Sequence, residues 1–378
     1  MTYPRLLPLV TTLLALPACS DDAAEPSGSG GGTASASTAG GGGAGGADTS
    51  LADRVRQTPW EVLPGAPSLT GGPKQDDAFF LDAQHGFVAS GPEWSIHETR
   101  DGGATWTTSL EQQGTFFRAL YFVDAMHGFA GNLGTGLSSA ITDDDVMYET
   151  TDGGASWAPV TDITGPAPSG ICNFDALDED HIFAVGRANG PSHLMTSADG
   201  GASWTSIDLG AHLMMAIDVR FSSPTEGVVA GMGPGQTCVV IRTTDAGQTF
   251  APVFTSTTPG SLCWKLDFPS EQVGYLAVQD TTSGPGTFGK TTDGGATWQE
   301  LPLPIDRAYG ALAAGFIDED IGWMVSNDPS LPAYRTFDGG QTWEEEPNLS
   351  GPINRFRFPG DGTGYAVGAQ VYKLELPR

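Results

Sequence analysis

An eight-residue motif that recurs six times constrains the fold of this 378-residue chain more than any other feature. One copy reads TTDGGATW and starts at Thr291; the other five start at Thr99, Thr150, Ser197, Thr243 and Thr336. The aspartates of successive copies are separated by 51, 47, 46, 48 and 45 residues. A period of this length indicates a repeat protein in which each repeat is one small structural unit.

The residue types of this octet predict a tight turn between two strands. The aspartate accepts hydrogen bonds from backbone N–H groups that follow it, and the glycines supply positive φ at little steric cost. The closing Trp or Phe starts the next strand and offers a large ring for packing. We therefore assign a structural role to the six octet aspartates, which are Asp101, Asp152, Asp199, Asp245, Asp293 and Asp338.

A second motif of strand, polar turn and strand precedes each octet. It reads FVDAMHGFAGN from Phe122 and FPGDGTGYAVG from Phe358, and it occurs seven times. Together with the short strand after each octet, it gives four antiparallel strands per repeat, which is one blade of a β-propeller. The sequence thus predicts an all-β, seven-bladed propeller with four-stranded antiparallel blades.

The seventh repeat stops at its third strand, residues 371–374, without an octet. Residues 60–64, which begin at Trp60, resemble the strands that follow the octets, such as residues 343–347. We expect this N-terminal strand to pair into the last blade and close the ring, because closure protects otherwise exposed strand edges. The alternative is a six-bladed propeller with an extra pair of strands.

The first 51 residues predict export and a flexible tether. Arg5 and an apolar run over residues 6–16 lead into Leu-Pro-Ala-Cys, which is typical of a lipoprotein signal. This predicts a signal peptide at 1–18, lipidation of Cys19, a disordered Gly/Ser-rich tether at 19–51 and the propeller at 52–378. The expected location is the bacterial outer membrane or cell surface. An ordinary signal peptide cut after Ala18 is the alternative.

The octets and the motif that precedes them resemble the BNR, or Asp-box, repeat. Their alternation is similar to that of propellers related to the photosystem II stability and assembly factor, and to sortilin-type receptors, xyloglucan-cleaving glycosidases and sialidases. The resemblance implies the fold for the whole chain after the tether. The assembly factor implies a binding scaffold with a basic arginine patch, whereas this chain is poor in arginine and acidic. The octets occur in unrelated activities, so they do not decide function.

The formal charge of −28, from 45 acidic and 17 basic residues, argues against a nucleic-acid partner, which needs a basic face. With no catalytic constellation in the sequence, we predict an envelope lipoprotein that acts as a binding or assembly scaffold. It would be a monomer with a protein or glycan partner and with membrane contact only through its lipid, and we predict neither a cofactor nor a metal.

Loop lengths place the candidate binding site on the face opposite the octets. There the loops between strands 2 and 3, and between consecutive blades, vary in length and composition. Arginines from several blades could recognise a carboxylate or acidic partner, or they could form isolated ion pairs. The candidate ligand-binding residues on this loop face are Arg118, Arg187, Trp264, Lys265, Arg307, Tyr309, Arg355 and Arg357.

Two smaller features leave alternatives open. Asp143, Asp144 and Asp145 could bind Ca²⁺, but their spacing fits no known calcium loop and a solvated charge run is the other interpretation. In an exported protein Cys238 could form a disulfide with Cys263 or with Cys172.

A secreted glycoside hydrolase is the alternative function. Residues 356–359 read Phe-Arg-Phe-Pro, which is similar to the Phe-Arg-Ile-Pro motif of sialidases. A sialidase-like enzyme needs an arginine cluster, a tyrosine activated by a glutamate, and an acid. The motif also fits the first strand of blade 7, and we assign no catalytic residue.

Overall fold

Seven four-stranded antiparallel sheets follow one another along the chain in the computed structural model, which describes residues 50–69, 74–280, 286–305, 310–326, 328 and 330–377. The first strand of each blade is the one nearest the central channel. Blade 1 comprises β2 (Asp77–Phe80), β3 (Gly86–Ser90), β4 (Ser95–Thr99) and β5 (Thr107–Glu111). Blade 2 comprises β6 (Phe117–Phe122), β7 (Gly128–Asn132), β8 (Met147–Thr150) and β9 (Ala158–Pro159). Blade 3 comprises β11 (Asn173–Ala176), β12 (Ile182–Gly186), β13 (His193–Ser197) and β14 (Trp204–Asp208). A short extra strand, β10 (Ile163–Thr164), pairs in parallel with β14.

Blades 4 to 6 repeat the same order. Blade 4 comprises β15 (Met215–Phe221), β16 (Gly227–Met232), β17 (Cys238–Thr243) and β18 (Ala251–Thr255). Blade 5 comprises β19 (Leu262–Asp267), β20 (Gly274–Gln279), β21 (Thr287–Thr291) and β22 (Gln299–Pro302). Blade 6 comprises β23 (Ala311–Phe316), β24 (Gly322–Ser326), β25 (Ala333–Thr336) and β26 (Glu344–Glu346). The fold is therefore the predicted seven-bladed propeller once blade 7 is included.

Blade 7 closes the ring with the N-terminal strand, as predicted. It consists of β27 (Ile353–Gly360), β28 (Thr363–Gly368), β29 (Val371–Glu375) and β1 (Glu61–Val62). In the antiparallel pair of β1 and β29, Glu61 lies opposite Lys373 and Val62 opposite Tyr372. Trp60, just before β1, is buried, and its ring packs edge-on against Trp323 of blade 6 at 5.4 Å. The prediction of seven blades is confirmed, and the six-bladed alternative is wrong.

A short helix, α1 (Leu51–Gln57), precedes β1, and the sequence analysis did not predict it. Ser50 caps its N-terminus by accepting a hydrogen bond from the backbone N–H of Asp53 at 3.2 Å. Val55 is buried, and Arg54 donates to the carbonyl of Pro377 at 3.1 Å. Because α1 lies between the end of β29 and the start of β1, it takes the place that an octet takes in the other six blades.

Each octet folds into the same hydrogen-bonded turn. In blade 5, Thr291 Oγ1 donates to Asp293 Oδ1 at 2.8 Å and accepts from the N–H of Gly295 at 3.0 Å. Asp293 in turn accepts from the N–H of Thr297 at 2.9 Å and from its hydroxyl at 2.6 Å. The same four bonds recur in the other five octets. The octets are thus independent copies of one local structure.

The octets share one face of the ring with the turns between strands 1 and 2. The N–H of Gly294 donates to the carbonyl of Gln272 in such a turn at 2.9 Å, and Gly153 donates likewise to Met126 at 2.8 Å. We call this the octet face, and the opposite side the loop face. This arrangement agrees with the predicted division of the faces.

Ring stacking between blades explains the second repeated motif. In blades 1, 2, 4 and 6 the aromatic residue at the end of strand 1 stacks on the ring near the start of strand 2 of the preceding blade. Phe316 lies 3.5 Å from Tyr275, and Phe221 lies 3.7 Å from Phe183, measured between ring centroids. These contacts bury large apolar surfaces at the blade interfaces. The repeated aromatic positions therefore hold neighbouring blades together.

Blades 4 and 5 are also joined covalently, because Cys238 and Cys263 form a disulfide. Cys172 is a buried free thiol that accepts a hydrogen bond from the N–H of Ala188 at 3.2 Å. No helix among the described residues is long and apolar enough to cross a membrane. The predicted signal peptide, Cys19 and nearly all of the tether lie outside the described residues.

Candidate functional site

The central channel carries most of the buried charge of the described chain, and its polar side chains form three levels between the faces. We call these levels the loop-side mouth, the middle level and the octet-side mouth. Strand 1 of each blade runs from the loop face to the octet face and advances about 3.3 Å per residue. A residue's position along strand 1 therefore decides its level.

The loop-side mouth combines two cations with one carboxylate and an amide. Arg118 of blade 2 is buried and donates to Asp76 at 2.5 Å. Lys74 donates to Asn354 Oδ1 of blade 7 at 2.7 Å. Asn354 also donates through its amide nitrogen to the carbonyl of Asp76. Four side chains from blades at opposite ends of the sequence thus meet in one cluster.

Trp264 of blade 5 extends across this mouth. Its indole N–H donates to Asn354 Oδ1 at 3.3 Å, and the Arg118 guanidinium lies 5.1 Å from its ring centroid. The Lys74 ammonium lies 5.7 Å from the same ring. Both cations are within the range of cation–π attraction. The partly buried ring presents an apolar surface beside two positive charges.

Several buried polar atoms at this mouth and just below it lack a hydrogen-bond partner among the described residues. They are Lys265 Nζ, Arg118 Nη2, Asp76 Oδ2 and both amide atoms of Gln75. Buried polar atoms are usually paired with protein or water, so this group of atoms is a candidate for contact with a ligand or ordered water. Burial, together with Arg355 and Arg118, lowers the pKa of Lys265 well below its ordinary value. Burial and Arg118 lower the pKa of Lys74 to about 7, against the opposing effect of Asp76.

At the middle level one arginine connects three other blades. Arg355 of blade 7 is buried and donates to Asp77 Oδ1 of blade 1 at 3.0 Å and to Asn173 Oδ1 of blade 3 at 2.6 Å. Its Nη1 lies 3.4 Å from Asp218 Oδ2 of blade 4. The chain thus places an arginine across the channel axis, where it ties the ring together.

The channel carboxylates also bind the backbone of the next blade. Asp77 accepts from the N–H of Leu120 at 3.0 Å, and Asp218 accepts from that of Leu266 at 3.0 Å. Asp175 and Asp267 make the same contact, to Phe221 at 2.6 Å and to Phe316 at 2.7 Å. These four aspartates therefore have structural roles.

The octet-side mouth is a cavity of about 280 Å³ with an arginine and aromatic walls. Arg357 donates from Nε to the carbonyl of Ala78 at 2.6 Å and from Nη2 to Asp77 Oδ1 at 3.0 Å. Phe79, Tyr121, Phe174 and Phe358 form the walls. A second cavity of about 410 Å³ lies beside it over blades 3 to 5, and the Asp175–Arg220 ion pair separates the two.

The structure distributes the predicted ligand-binding residues over the length of the channel. Arg118 and Trp264 gather at the loop-side end, and Arg355 lies in the middle level. Lys265 occupies the same strand position as Arg355, just below the loop-side mouth, and both Arg355 and Arg118 lower its pKa. Placing Arg357 on the loop face was wrong, because it is the fifth residue of β27 and its side chain lines the octet-side mouth. Arg187 is buried beside the loop-side mouth, where it donates to the carbonyls of Gly190 and Thr135.

Arg307 and Tyr309 lie outside the described residues. For all eight residues, ligand binding stays a prediction. Sequence reasoning missed Lys74, Gln75, Asp76 and Asn354. The first three precede the first strand of blade 1, a position equivalent to the loops that supplied the other candidates, and this equivalence was the available signal.

The structure also shows the surroundings of the calcium candidate and of the arginines that a sialidase-like site would use. Asp143 accepts from the Tyr148 hydroxyl at 2.6 Å and from Thr115. No group of three or more His, Cys, Asp or Glu residues in the described ranges is arranged to hold a metal ion. Arg118 and Arg355, which a sialidase-like site would need for its substrate, are buried in ion pairs.

These features define the class: the chain is a seven-bladed β-propeller with a charged channel. A family model described as BNR/Asp-box repeat matches residues 334–345. The chain is 24% identical over 321 residues to a photosystem II assembly lipoprotein, Ycf48, of Synechococcus sp. (strain CC9902), and the match covers 80% of this chain and 83% of that relative.

Two solved structures illustrate the range of proteins with this fold. YCF48 bound to D1 peptide superimposes with a TM-score of 0.61 at 19% identity and covers 85% of this chain and 97% of its own. An ancestral GH74 enzyme superimposes with a TM-score of 0.59 at 15% identity and covers 84% of this chain but 46% of its own. At these identities the structures share the fold.

Proposed function

We propose that this chain is a binding scaffold that holds a protein partner at the loop-side mouth of its channel. The observation that carries the proposal is the cluster of buried basic groups at and just below this mouth, in which Arg118 Nη2 and Lys265 Nζ lack a partner among the described residues. A carboxylate at this position would accept a charge-assisted hydrogen bond from Arg118. Its negative charge would also raise the lowered pKa of Lys265, so that the protonated amine could donate as well. The carboxylate would also offset the cost of burying Lys265 Nζ without an acceptor, whereas Arg118 already has Asp76 as its counter-charge.

The partner's binding group is an acidic side chain or a chain end next to an apolar residue. Trp264 supplies the apolar contact, because its partly buried ring lies beside the cations Lys74 and Arg118. Aromatic anchors surrounded by charged groups are typical of the residues that dominate binding energy at protein interfaces. Two comparisons support a protein partner. One relative is described as an assembly lipoprotein, and one structure of similar fold is described as bound to a peptide.

The place of action that we propose follows from the N-terminal sequence. Cys19 would carry a lipid after removal of residues 1–18, and residues 20–49 would link that lipid to α1. The propeller would then act at the outer membrane or cell surface as a monomer. Metabolic labelling with a fatty acid analogue tests this: wild-type protein should be labelled, and the Cys19→Ala variant should appear unlabelled in the soluble fraction.

Crosslinking in envelope extracts, followed by an affinity measurement on the partner found, tests the binding proposal. Lys74→Gln is the test variant, because glutamine can still donate to Asn354 and loses only the charge. Arg242→Met, on the octet face and paired with Glu226 at 3.0 Å, is the matched control. We expect about tenfold weaker binding for Lys74→Gln and no change for Arg242→Met.

The pH dependence gives an independent readout. Lys74 has a pKa of about 7 and attracts an anion only when protonated, so the affinity should fall as the pH rises above 7. Lys74→Gln should remove this dependence. A partner that binds both variants equally well, or that is a polysaccharide released by digestion with glycosidases, would overturn the proposal.

A further inference from the structure

The octet-side mouth is a second concave site at the opposite end of the channel from the proposed partner surface. It is formed where the first strands of blades 7, 1, 2 and 3 end. Phe79 packs edge-on against Tyr121 with ring centroids 5.3 Å apart, which fixes two of its walls. A cavity with mostly aromatic walls and a few convergent polar groups is typical of small-ligand sites.

Two arginines lie at the base of this cavity, and the carboxylate on its wall, Asp175, is paired with Arg220 at 3.1 Å. Arg355 Nε and Arg357 Nη2 both donate to the same oxygen, Asp77 Oδ1, each at 3.0 Å. One carboxylate oxygen thus serves two guanidinium groups. Arg355 has further partners deeper in the channel, but the bonds of Arg357 use only Nε and Nη2. Its Nη1 has no hydrogen-bond acceptor among the described residues, although the side chain is 28% exposed.

The pKa values agree with an under-compensated cation. Burial lowers the pKa of Arg357, Arg355 lowers it further, and Asp77, Asp218 and Asp267 only partly oppose them. At the rim, burial together with Asp175 and Asp178 raises the pKa of Tyr121 to about 12. The Tyr121 hydroxyl therefore stays protonated at neutral pH and is a second available donor.

We propose that the octet-side mouth binds an anionic group carried on a flat aromatic body, with an aryl carboxylate as the class of ligand. The carboxylate would accept from Arg357 Nη1, and the ring would lie among Phe79, Tyr121 and Phe358. A volume of about 280 Å³ suits one ring system with a short acidic arm. This ligand could be a free acid or the C-terminal aromatic residue of a peptide, because both present a ring beside a carboxylate.

Titration calorimetry on the full chain with indole-3-acetate, and with indole-3-ethanol as its neutral counterpart, tests the proposal. We expect saturable binding of the acid and about 10- to 100-fold weaker binding of the alcohol, because a charge-assisted hydrogen bond is lost. Arg357→Met should weaken binding of the acid to the level of the alcohol. Arg242→Met, in the adjacent cavity on the same face, should leave it unchanged.

The alcohol comparison needs no variant, so the test remains decisive if Arg357→Met fails to fold. Equal binding of acid and alcohol, no binding of the acid at millimolar concentration, or an equal loss in Arg242→Met would each overturn the proposal. Peptides that end in Trp, with either a free or an amidated C-terminus, distinguish a small free acid from the C-terminus of a peptide as the natural ligand. Stronger binding by the free-acid peptide than by indole-3-acetate would identify a chain end, and the reverse order would identify a small molecule.

Discussion

The octet face and the channel differ in how their contacts are distributed among the blades. Each octet repeats the same four hydrogen bonds within a few residues, so every blade stabilises its own turn. In the channel, by contrast, Arg355 alone contacts blades 1, 3 and 4 from blade 7. Local, repeated contacts build the blades, whereas long-range contacts that are different in each blade join them and leave room for binding groups.

This contrast predicts that losses in the channel are large and interdependent, and that losses in the octets are small and independent. Residues within one polar network couple strongly, whereas changes in separate blades should add. The three predictions below test this difference.

Arg355→Met should have the largest effect. It leaves the buried Asp77 and Asp218 without their shared guanidinium, so we expect a loss of about 3–5 kcal/mol in the free energy of unfolding. Urea unfolding followed by tryptophan fluorescence measures this loss. Asp218→Asn added to Arg355→Met should cost much less than the sum of the two single changes. Strict additivity would mean that the channel does not act as one network.

Thr291→Val should have a smaller effect. It removes the hydroxyl that accepts from the N–H of Gly295, at a position with 2% exposure, and we expect a loss of about 1–2 kcal/mol. Thr150→Val in blade 2 is the matched change. The two losses should be similar and should add within about 0.5 kcal/mol. A clearly non-additive double variant would show that the octets are coupled.

Asp267→Asn should have the smallest effect, with a sign that depends on pH. Burial raises the pKa of Asp267 to about 6, so its ionised form costs stability above pH 6, and this cost disappears as the pH falls towards 4. We expect the variant to be more stable than wild type by about 1 kcal/mol at pH 7.5 and equal to it near pH 4. Thermal unfolding at both pH values measures the difference.

The octets behave in the opposite way with pH. Hydrogen bonds from Ser156 and Thr150 lower the pKa of Asp152, so that contribution is present above the ordinary aspartate pKa and is lost only at more acidic pH. For Asp267, the raised pKa would be contradicted if the gain in stability of the Asp267→Asn variant were the same at pH 4 and at pH 7.5.

The sequence predicted the ring well because its signals are local and repeated. The octets fix the turns, and the resemblance of residues 60–64 to other fourth strands fixed the closure. The helix α1 was missed because seven residues give almost no periodicity, although Ser50 and Asp53 form an N-terminal cap. The cap was a local signal for this helix, but the segment that followed it was too short to show a helical pattern.

The candidate site was predicted less well because its contacts are long-range. Arg118 and Arg355 were expected near the surface, but their partners Asp76, Asp77 and Asp218 come from other blades and bury them. Arg357 was assigned to the wrong face because the prediction did not count residues along strand 1. Four residues of strand advance about 13 Å, which is enough to change the mouth into which a side chain points.

The closure of blade 7 also sets where the protein is mechanically weakest. The β1 strand pairs with β29 through two residues, and Leu63 just after it donates to the carbonyl of Val371 at 2.9 Å. Before β1, the buried Trp60 and Val55 and the bond from Arg54 to Pro377 complete the seam. A pulling force on the chain before Ser50 reaches this seam first and loads its few bonds one after another. The ring would therefore open between its first and last strands before any continuous blade unravels.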